Sequence, residues 1–161
     1  MAKTKAIQPT LPTPPKPKPT AQEAMAALQL WLNNYEKERL VNHAKFVEGL
    51  EKSLIYTMEW RGMSVVFATQ QAHLAAHVLD VINEPGRFTT VTQAFEYIEE
   101  WGKEDLNRIM DLREWDNRST SPISNLVKLE TVNATVKFWR ETLQFIKRKD
   151  FQEEQEHGKP E

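Results

Sequence analysis

The amino-acid sequence predicts an all-α fold, an elongated helical bundle of about four helices with a disordered Pro/Lys-rich N-terminal arm. Six of the nine prolines lie between Pro9 and Pro19, and the other three are Pro85, Pro122 and Pro160. Because an interior proline removes a helical hydrogen bond and clashes with the preceding turn, the long stretches without proline are free to be helical. Apolar residues recur through these stretches every three or four positions, as they do in a helix with one buried face.

Charge divides the chain into an arm and a body. Residues 1–19 contain Lys3, Lys5, Lys16 and Lys18 and no acidic residue, which leaves 17 of the 21 basic residues and all 23 acidic residues to the other 142 positions. An unstructured basic arm can contact phosphate even when the body is acidic, so these four lysines are a candidate polyanion contact. We expect a disordered basic arm at 1–19, a helical domain at 20–149 and a charged flexible tail at 150–161.

Composition excludes several classes of site. The chain has no cysteine, so it has no disulfide, no thiol nucleophile and no cysteine-ligated zinc or iron–sulfur cluster. No apolar run approaches the roughly 20 residues that a membrane span needs, and lysines and prolines stand where a signal peptide has its apolar core. The sequence therefore predicts no membrane span and a cytoplasmic or particle-associated location.

The first predicted helix begins at a capping box formed by Thr20 and Glu23, where each side chain can bond the other residue's backbone. Its apolar positions change phase near 36–39, so we expect a break there if the helix does not continue to Arg61. Gly62 is compatible either with a helix break or with a close packing point. Two apolar stripes define this region: Ala24, Leu28, Trp31 and Tyr35, followed by Val47, Leu50, Leu54 and Met58.

The next two helices are predicted over 63–83 and from Val91 to near Trp115. The segment 64–69 has the composition of a strand, but no second strand is available to pair with it. A second capping box is expected at Thr90 and Gln93. Five acidic residues in the third helix, Glu96, Glu99, Glu100, Glu104 and Asp105, are interpreted as a solvated face in preference to a set of catalytic carboxylates.

The last predicted helix begins at Pro122 and carries the most regular apolar pattern in the chain. Six residues at spacings of 3, 4, 3, 4 and 3 form a heptad seam, which is our candidate partner-binding surface: Leu129, Val132, Val136, Trp139, Leu143 and Ile146. The seam is shorter than the three to four heptads that identify a coiled coil. A contact within the chain's own bundle is therefore favoured over a self-association helix, and both interpretations stay open.

Two further features are weak candidates for function. His73 and His77, four residues apart, can place two imidazoles on one helix face beside Asp80, but the same pattern is typical of a solvated stripe, so we expect no metal and no cofactor. Trp60 and Trp115 lie near predicted helix ends, where a tryptophan can anchor a partner or close the edge of the core. The core edge is the favoured interpretation.

Length argues for assembly. A helix from 21 to 61 would be about 60 Å long, whereas a compact domain of this size is only about 40 Å across. Such a helix must break or pack on another chain, so we expect a homo-oligomer or a stable protein partner. The resulting hypothesis is a non-enzymatic assembly or interaction protein. The alternatives are nucleic-acid or other polyanion binding through the arm, and a metal-dependent enzyme that uses the His73 and His77 face.

Overall fold

The computed structural model describes residues 18–112, 122–148 and 151. For residues 110–112 it describes the backbone alone. These residues form four helices: α1 (Ala21–Lys52), α2 (Leu54–Asn83), α3 (Val91–Leu112) and α4 (Pro122–Arg148). No strand occurs in the described part of the chain. The all-α prediction is confirmed.

The first two helices form an antiparallel hairpin whose turn is a single residue. Ser53 is extended, with φ −163° and ψ 111°, and its N–H still bonds the Gly49 carbonyl. Near the turn, a Cβ added to Gly49 would lie 2.7 Å from Thr57 Oγ1, so the two helices approach closely there. At the opposite end of the hairpin, Gln29 Nε2 donates to Asn83 Oδ1 over 2.8 Å.

The predicted break near 36–39 is wrong. The chain is helical through this segment, where Arg39 donates to both carboxylate oxygens of Glu36 within one turn. The break lies at Ser53, four residues from both Gly49 and Thr57, where the two helices approach closely, and no proline marks this position in the sequence. Gly62 lies inside α2, and its nearest non-local atom is 4.0 Å from an added Cβ, so it neither breaks the helix nor marks a close approach.

The helix starts predicted at Thr20, Thr90 and Pro122 are present, whereas the start predicted at 63 is wrong, because α2 begins at Leu54. Thr20 Oγ1 accepts from the Glu23 N–H, and a Glu23 oxygen accepts from the Thr20 N–H, so the capping box is complete. These bonds to Thr20 lower the pKa of Glu23 below its ordinary value. At α3, Thr90 Oγ1 accepts from the Gln93 N–H as expected, but the Gln93 side chain bonds the N–H of Thr89 rather than that of Thr90.

The hydrophobic core lies between the first part of α1, the last part of α2, and helices α3 and α4. Its buried members come from all four helices: Ala24, Leu28, Leu32, Tyr35, Ala72, Ala75, Val78, Phe95, Ile98, Phe138, Trp139 and Ile146. Phe151, the described residue nearest the C-terminus, stacks edge-on against Phe95 with ring centroids 5.4 Å apart. One described residue of the segment predicted as a flexible tail therefore packs against the core.

Helices α3 and α4 meet around Trp139. An added Cβ at Gly102 would lie 2.7 Å from Trp139 Cε3, so only glycine leaves room for the indole ring. The indole N–H donates to Asp105 Oδ2 over 2.7 Å, and the other oxygen of Asp105 bonds Arg108. The prediction that Asp105 lies on a solvated face is therefore wrong, because its side chain is buried and bonded to Trp139.

Burial divides the hairpin into two regions. We call residues 36–67, which include the turn, the distal hairpin, and the remainder of the four-helix packing the body. Within the distal hairpin, Gly49 and Thr57 alone are buried, and both lie at the contact between α1 and α2. All the buried apolar side chains among the described residues belong to the body.

Candidate interaction surface

Exposed apolar side chains concentrate on the distal hairpin. Among the described residues twelve large apolar side chains are exposed, and eight of them lie between 40 and 60: Leu40, Val41, Val47, Leu54, Ile55, Tyr56, Met58 and Trp60. Ile55 is 73% exposed and Trp60 is 68% exposed, so these two side chains project into solvent almost completely. We call the eight residues the distal apolar surface.

The first two turns of α2 form the tip of this surface. In the segment 54–60 only Thr57 is buried, and it faces Gly49 of α1. Leu54, Ile55 and Trp60 therefore project on sides of α2 that α1 does not cover. A helix segment that is apolar around most of its circumference is typical of a buried environment, not of a solvated face.

A heptad stripe along α2 connects the tip to the body. Its residues recur at spacings of 4, 3, 4, 3 and 4: Tyr56, Trp60, Met63, Phe67, Gln70 and Leu74. The C-terminal part of the stripe packs on α4, where Gln70 Nε2 donates to Thr135 Oγ1 over 3.1 Å and the Lys137 ammonium lies 5.4 Å from the Phe67 ring centre. The N-terminal part, Tyr56 and Trp60, is exposed. The same line of residues is thus packed in the body and uncovered at the tip.

The predicted seam on α4 is divided in a similar way. Trp139 and Ile146 are buried in the chain's own core, whereas Val132, Val136 and Leu143 are half-buried. Leu129 is exposed, as are Leu126 one turn before it and Ile123 two turns before it. The C-terminal end of the seam thus packs within the chain's own bundle, and a partner contact through Leu129 stays a prediction.

Charges on the distal hairpin balance. Residues 36–67 contain five acidic side chains, Glu36, Glu38, Glu48, Glu51 and Glu59, and five basic ones, Lys37, Arg39, Lys45, Lys52 and Arg61. Several are paired within their own helix, as Glu48 is with Lys52 at 2.5 Å, and this pairing lowers the pKa of Glu48. The region therefore presents apolar groups in a neutral, mixed-charge setting.

A polar cleft of about 240 Å³ between α1, α2 and α4 is a second candidate site. Tyr35 donates to Glu141 Oε2 over 2.9 Å, and burial together with this bond raises the pKa of Tyr35 well above its ordinary value. Tyr35 is therefore held neutral and is a poor general base or nucleophile. The buried Gln71 Nε2 has no partner among the described residues, and Glu38 and Lys137 line the rim of the cleft.

The two histidines considered as candidate metal ligands, His73 and His77, are both exposed on α2. The ring of His77 lies edge-on to Trp101, with centroids 5.2 Å apart. No group of three or more His, Cys, Asp or Glu side chains that could hold a metal ion occurs in the described residues. The described structure thus brings no third such ligand to the His73 and His77 face.

Several predicted features fall outside the described residues. They include three of the four arm lysines, Lys3, Lys5 and Lys16, together with Trp115 and most of the charged tail. Lys18 is described and exposed. Over the described ranges, none of the four helices combines the length and the apolar content that crossing a bilayer requires.

Sequence reasoning missed the distal apolar surface because it placed one long helix through residues 21–61. On that assumption Trp60 became a helix-end residue at the core edge, which is wrong, since it lies 68% exposed near the start of α2. The available signal was the unbroken 4, 3, 4, 3, 4 spacing from Tyr56 to Leu74, which already assigns Trp60 to the same helix as residues of the body.

Comparison of the chain with protein-family models, curated proteins and solved structures gives no match.

Proposed function

We propose that this chain is a non-enzymatic assembly protein that binds a protein partner through the distal apolar surface. The observation that carries the proposal is the concentration of eight of the twelve exposed large apolar side chains within 40–60, at the end of a hairpin that leaves the core. Isolated exposed apolar residues are ordinary on protein surfaces, but a cluster of this size is typical of an interaction site.

The size of the cluster supports a protein partner. Eight large side chains that each expose on the order of 100 Å² give roughly 800 Å² of apolar surface in total, distributed over several sides of the two helices. A standard protein–protein interface buries about 800 Å² on each partner. Tyr56 and Trp60 are of the residue types that most often supply binding energy at such interfaces, and their ring centroids lie 6.2 Å apart.

Charge supports the same class of partner. Binding to nucleic acid or to an anionic membrane surface relies on clustered Lys and Arg, whereas the distal hairpin has equal numbers of acidic and basic residues. A neutral apolar surface is typical of contacts between proteins. Polyanion binding through the arm lysines is a separate hypothesis that the distal hairpin neither requires nor supports.

The test is a double variant that introduces charge at two exposed apolar positions. Ile55→Glu combined with Trp60→Glu should remove the chain from any larger complex in extracts of the cell that produces it, because each carboxylate would have to be desolvated in the interface. Leu30→Glu is the matched control, since Leu30 is 62% exposed but lies in the body. Size-exclusion chromatography of the tagged chain measures the outcome. Elution of the unmodified chain, the double variant and Leu30→Glu in the same fraction would contradict the proposal.

A further inference from the structure

We propose that the polar cleft between α1, α2 and α4 binds a small organic ammonium compound that also carries a carbonyl oxygen. The cleft shares no lining residue with the distal apolar surface, so this proposal is independent of the proposed function. Its volume of about 240 Å³ lies below the roughly 300–1,000 Å³ of pockets for drug-sized ligands. The ligand is therefore expected to be a compound of few non-hydrogen atoms.

The floor of the cleft contains a buried hydrogen-bond donor that lacks a partner. Gln71 is only 3% exposed, and its Nε2 atom has no partner among the described residues. Buried amide groups in folded proteins are almost always bonded. The terminal torsion of a glutamine side chain is broad, so the amide nitrogen can turn toward an oxygen placed in the cleft. A carbonyl oxygen of the ligand would complete this bond.

The rim of the cleft carries more negative than positive charge. Its charged lining residues are Glu38, Glu141 and Lys137, which provide two carboxylates and one ammonium group. The Lys137 ammonium lies 3.8 Å from Glu141 Oε1, a separation longer than a hydrogen bond. Lys137 therefore balances at most one of the two carboxylates. A cleft lined in this way attracts a cation and disfavours an anion.

The wall of the cleft is held in place by contacts within the chain. Trp31 stacks on Phe145 and meets Tyr35 edge-on, with ring centroids 5.1 Å apart in both pairs. Tyr35 donates to Glu141 Oε2 over 2.9 Å, which fixes this carboxylate and leaves its other oxygen for a ligand. Groups that are positioned before binding need less ordering when the ligand enters.

These groups specify the two ends of the ligand. An ammonium group at the rim would donate to Glu38 and Glu141, while a carbonyl oxygen would accept from Gln71. An alkylamine satisfies the rim but leaves the buried amide unpaired. An anion with a carbonyl group satisfies the amide but meets the two carboxylates. A compound with both an ammonium and a carbonyl group is the one that fits the whole cleft.

Three small probes test this specificity on the purified full-length chain by NMR titration. β-Alaninamide has both groups, butylamine lacks the carbonyl, and succinamate has a carboxylate in place of the ammonium. The side-chain amide signal of Gln71, identified by its loss in Gln71→Met, should shift and saturate with β-alaninamide. Butylamine should bind about tenfold more weakly, as expected for the loss of one hydrogen bond. Succinamate should not saturate.

Variants with matched controls test the location of the site. Gln71→Met should weaken the binding of β-alaninamide about tenfold, measured at the Trp31 indole signal. Glu38→Gln should also weaken it, because one of the two carboxylates is lost. Gln70→Met and Glu36→Gln change the same residue types outside the lining of the cleft and should bind as the unmodified chain does. Urea denaturation verifies that the variants are folded.

Several outcomes would overturn the proposal. Equal affinity for the three probes, or no saturable shift with any of them, excludes this class of ligand. Undiminished binding in Gln71→Met removes the buried amide from the site. A water cross-peak to the Gln71 amide that β-alaninamide does not displace would show that an ordered water is its only partner. None of these outcomes affects the complex that the Ile55→Glu, Trp60→Glu variant tests, so the two proposals fail separately.

Discussion

The body and the distal hairpin are built from the same two long helices and differ in what covers them. In the body, α1 and α2 pack against α3 and α4, and residues such as Leu28 and Val78 are fully buried. Beyond Tyr35 and before Ala68, α1 and α2 bury only Gly49 and Thr57. The apolar content of α2 does not fall at this boundary, so the chain retains at the tip an apolar surface that its own fold does not use.

This difference shows that the exposure of apolar side chains at the tip follows from how the helices pack and not from the residue types. The stripe from Tyr56 to Leu74 keeps its spacing across the boundary, and its first two residues, Tyr56 and Trp60, are exposed. Helix stability in proteins comes mainly from packing of an apolar face, so the distal hairpin is expected to be less stable than the body until that face is covered.

The largest expected contrast is between two tryptophans. Trp139→Ala should lower the free energy of unfolding by about 3–5 kcal/mol, because it empties the centre of the core and leaves the buried Asp105 without its indole partner. Trp60→Ala, measured at a concentration at which the chain is monomeric, should change it by less than about 0.5 kcal/mol. Urea denaturation provides both values. Similar losses for the two variants would remove the distinction between body and hairpin.

Two glycines provide the next contrast. Gly102→Ala should destabilise by about 1–3 kcal/mol, because the new methyl group would meet the rigid Trp139 ring at 2.7 Å. Gly62→Ala, whose added Cβ meets nothing nearer than 4.0 Å, should stabilise α2 by up to about 1 kcal/mol through helix propensity. Thermal unfolding of both variants gives the signs, and a stabilising Gly102→Ala would disprove the close packing of α3 on α4.

Two tyrosines test the electrostatics of the cleft. Tyr35→Phe should cost about 1–2 kcal/mol at neutral pH, since it removes the bond to Glu141, whereas the exposed Tyr56→Phe should cost nothing measurable. The raised pKa of Tyr35 means that the unfolded chain loses this proton first as pH rises above about 10. The difference between unmodified chain and Tyr35→Phe should therefore shrink above that pH. Unfolding free energies at neutral and alkaline pH measure it, and a constant difference would contradict the assignment.

The smallest expected effect concerns two neighbouring glutamines. Gln71→Met should leave stability unchanged or slightly higher, because it replaces a buried amide nitrogen that has no partner among the described residues. Gln70→Met should cost about 1 kcal/mol by removing the bond to Thr135. Chemical denaturation compares the two. A clear loss in Gln71→Met would show that the amide nitrogen has a hydrogen-bond partner, such as an ordered water, and would contradict the assignment.

Much of the fold could be predicted from the sequence because it depends on local signals. The capping box at Thr20, the prolines and the apolar period fixed the helix class and most helix starts. The turn at Ser53 depends on the close approach of Gly49 and Thr57, and burial of Asp105 depends on Trp139 from another helix. Neither contact has a signature within one segment of sequence. The distal apolar surface was missed for a different reason, because the prediction placed Trp60 at the end of the first helix and not in the helix that continues to Leu74.

Amide hydrogen exchange of the isolated chain and of the chain in its complex from cell extracts tests the central claim most directly, since it reports the opening of each segment separately. We predict that amides of residues 36–67 exchange much faster than those of the body in the isolated chain. They should become protected in the complex, while the exchange of buried body segments such as 68–82 stays constant. Protection of the distal hairpin that equals that of the body in the isolated chain, and that does not change in the complex, would contradict the account.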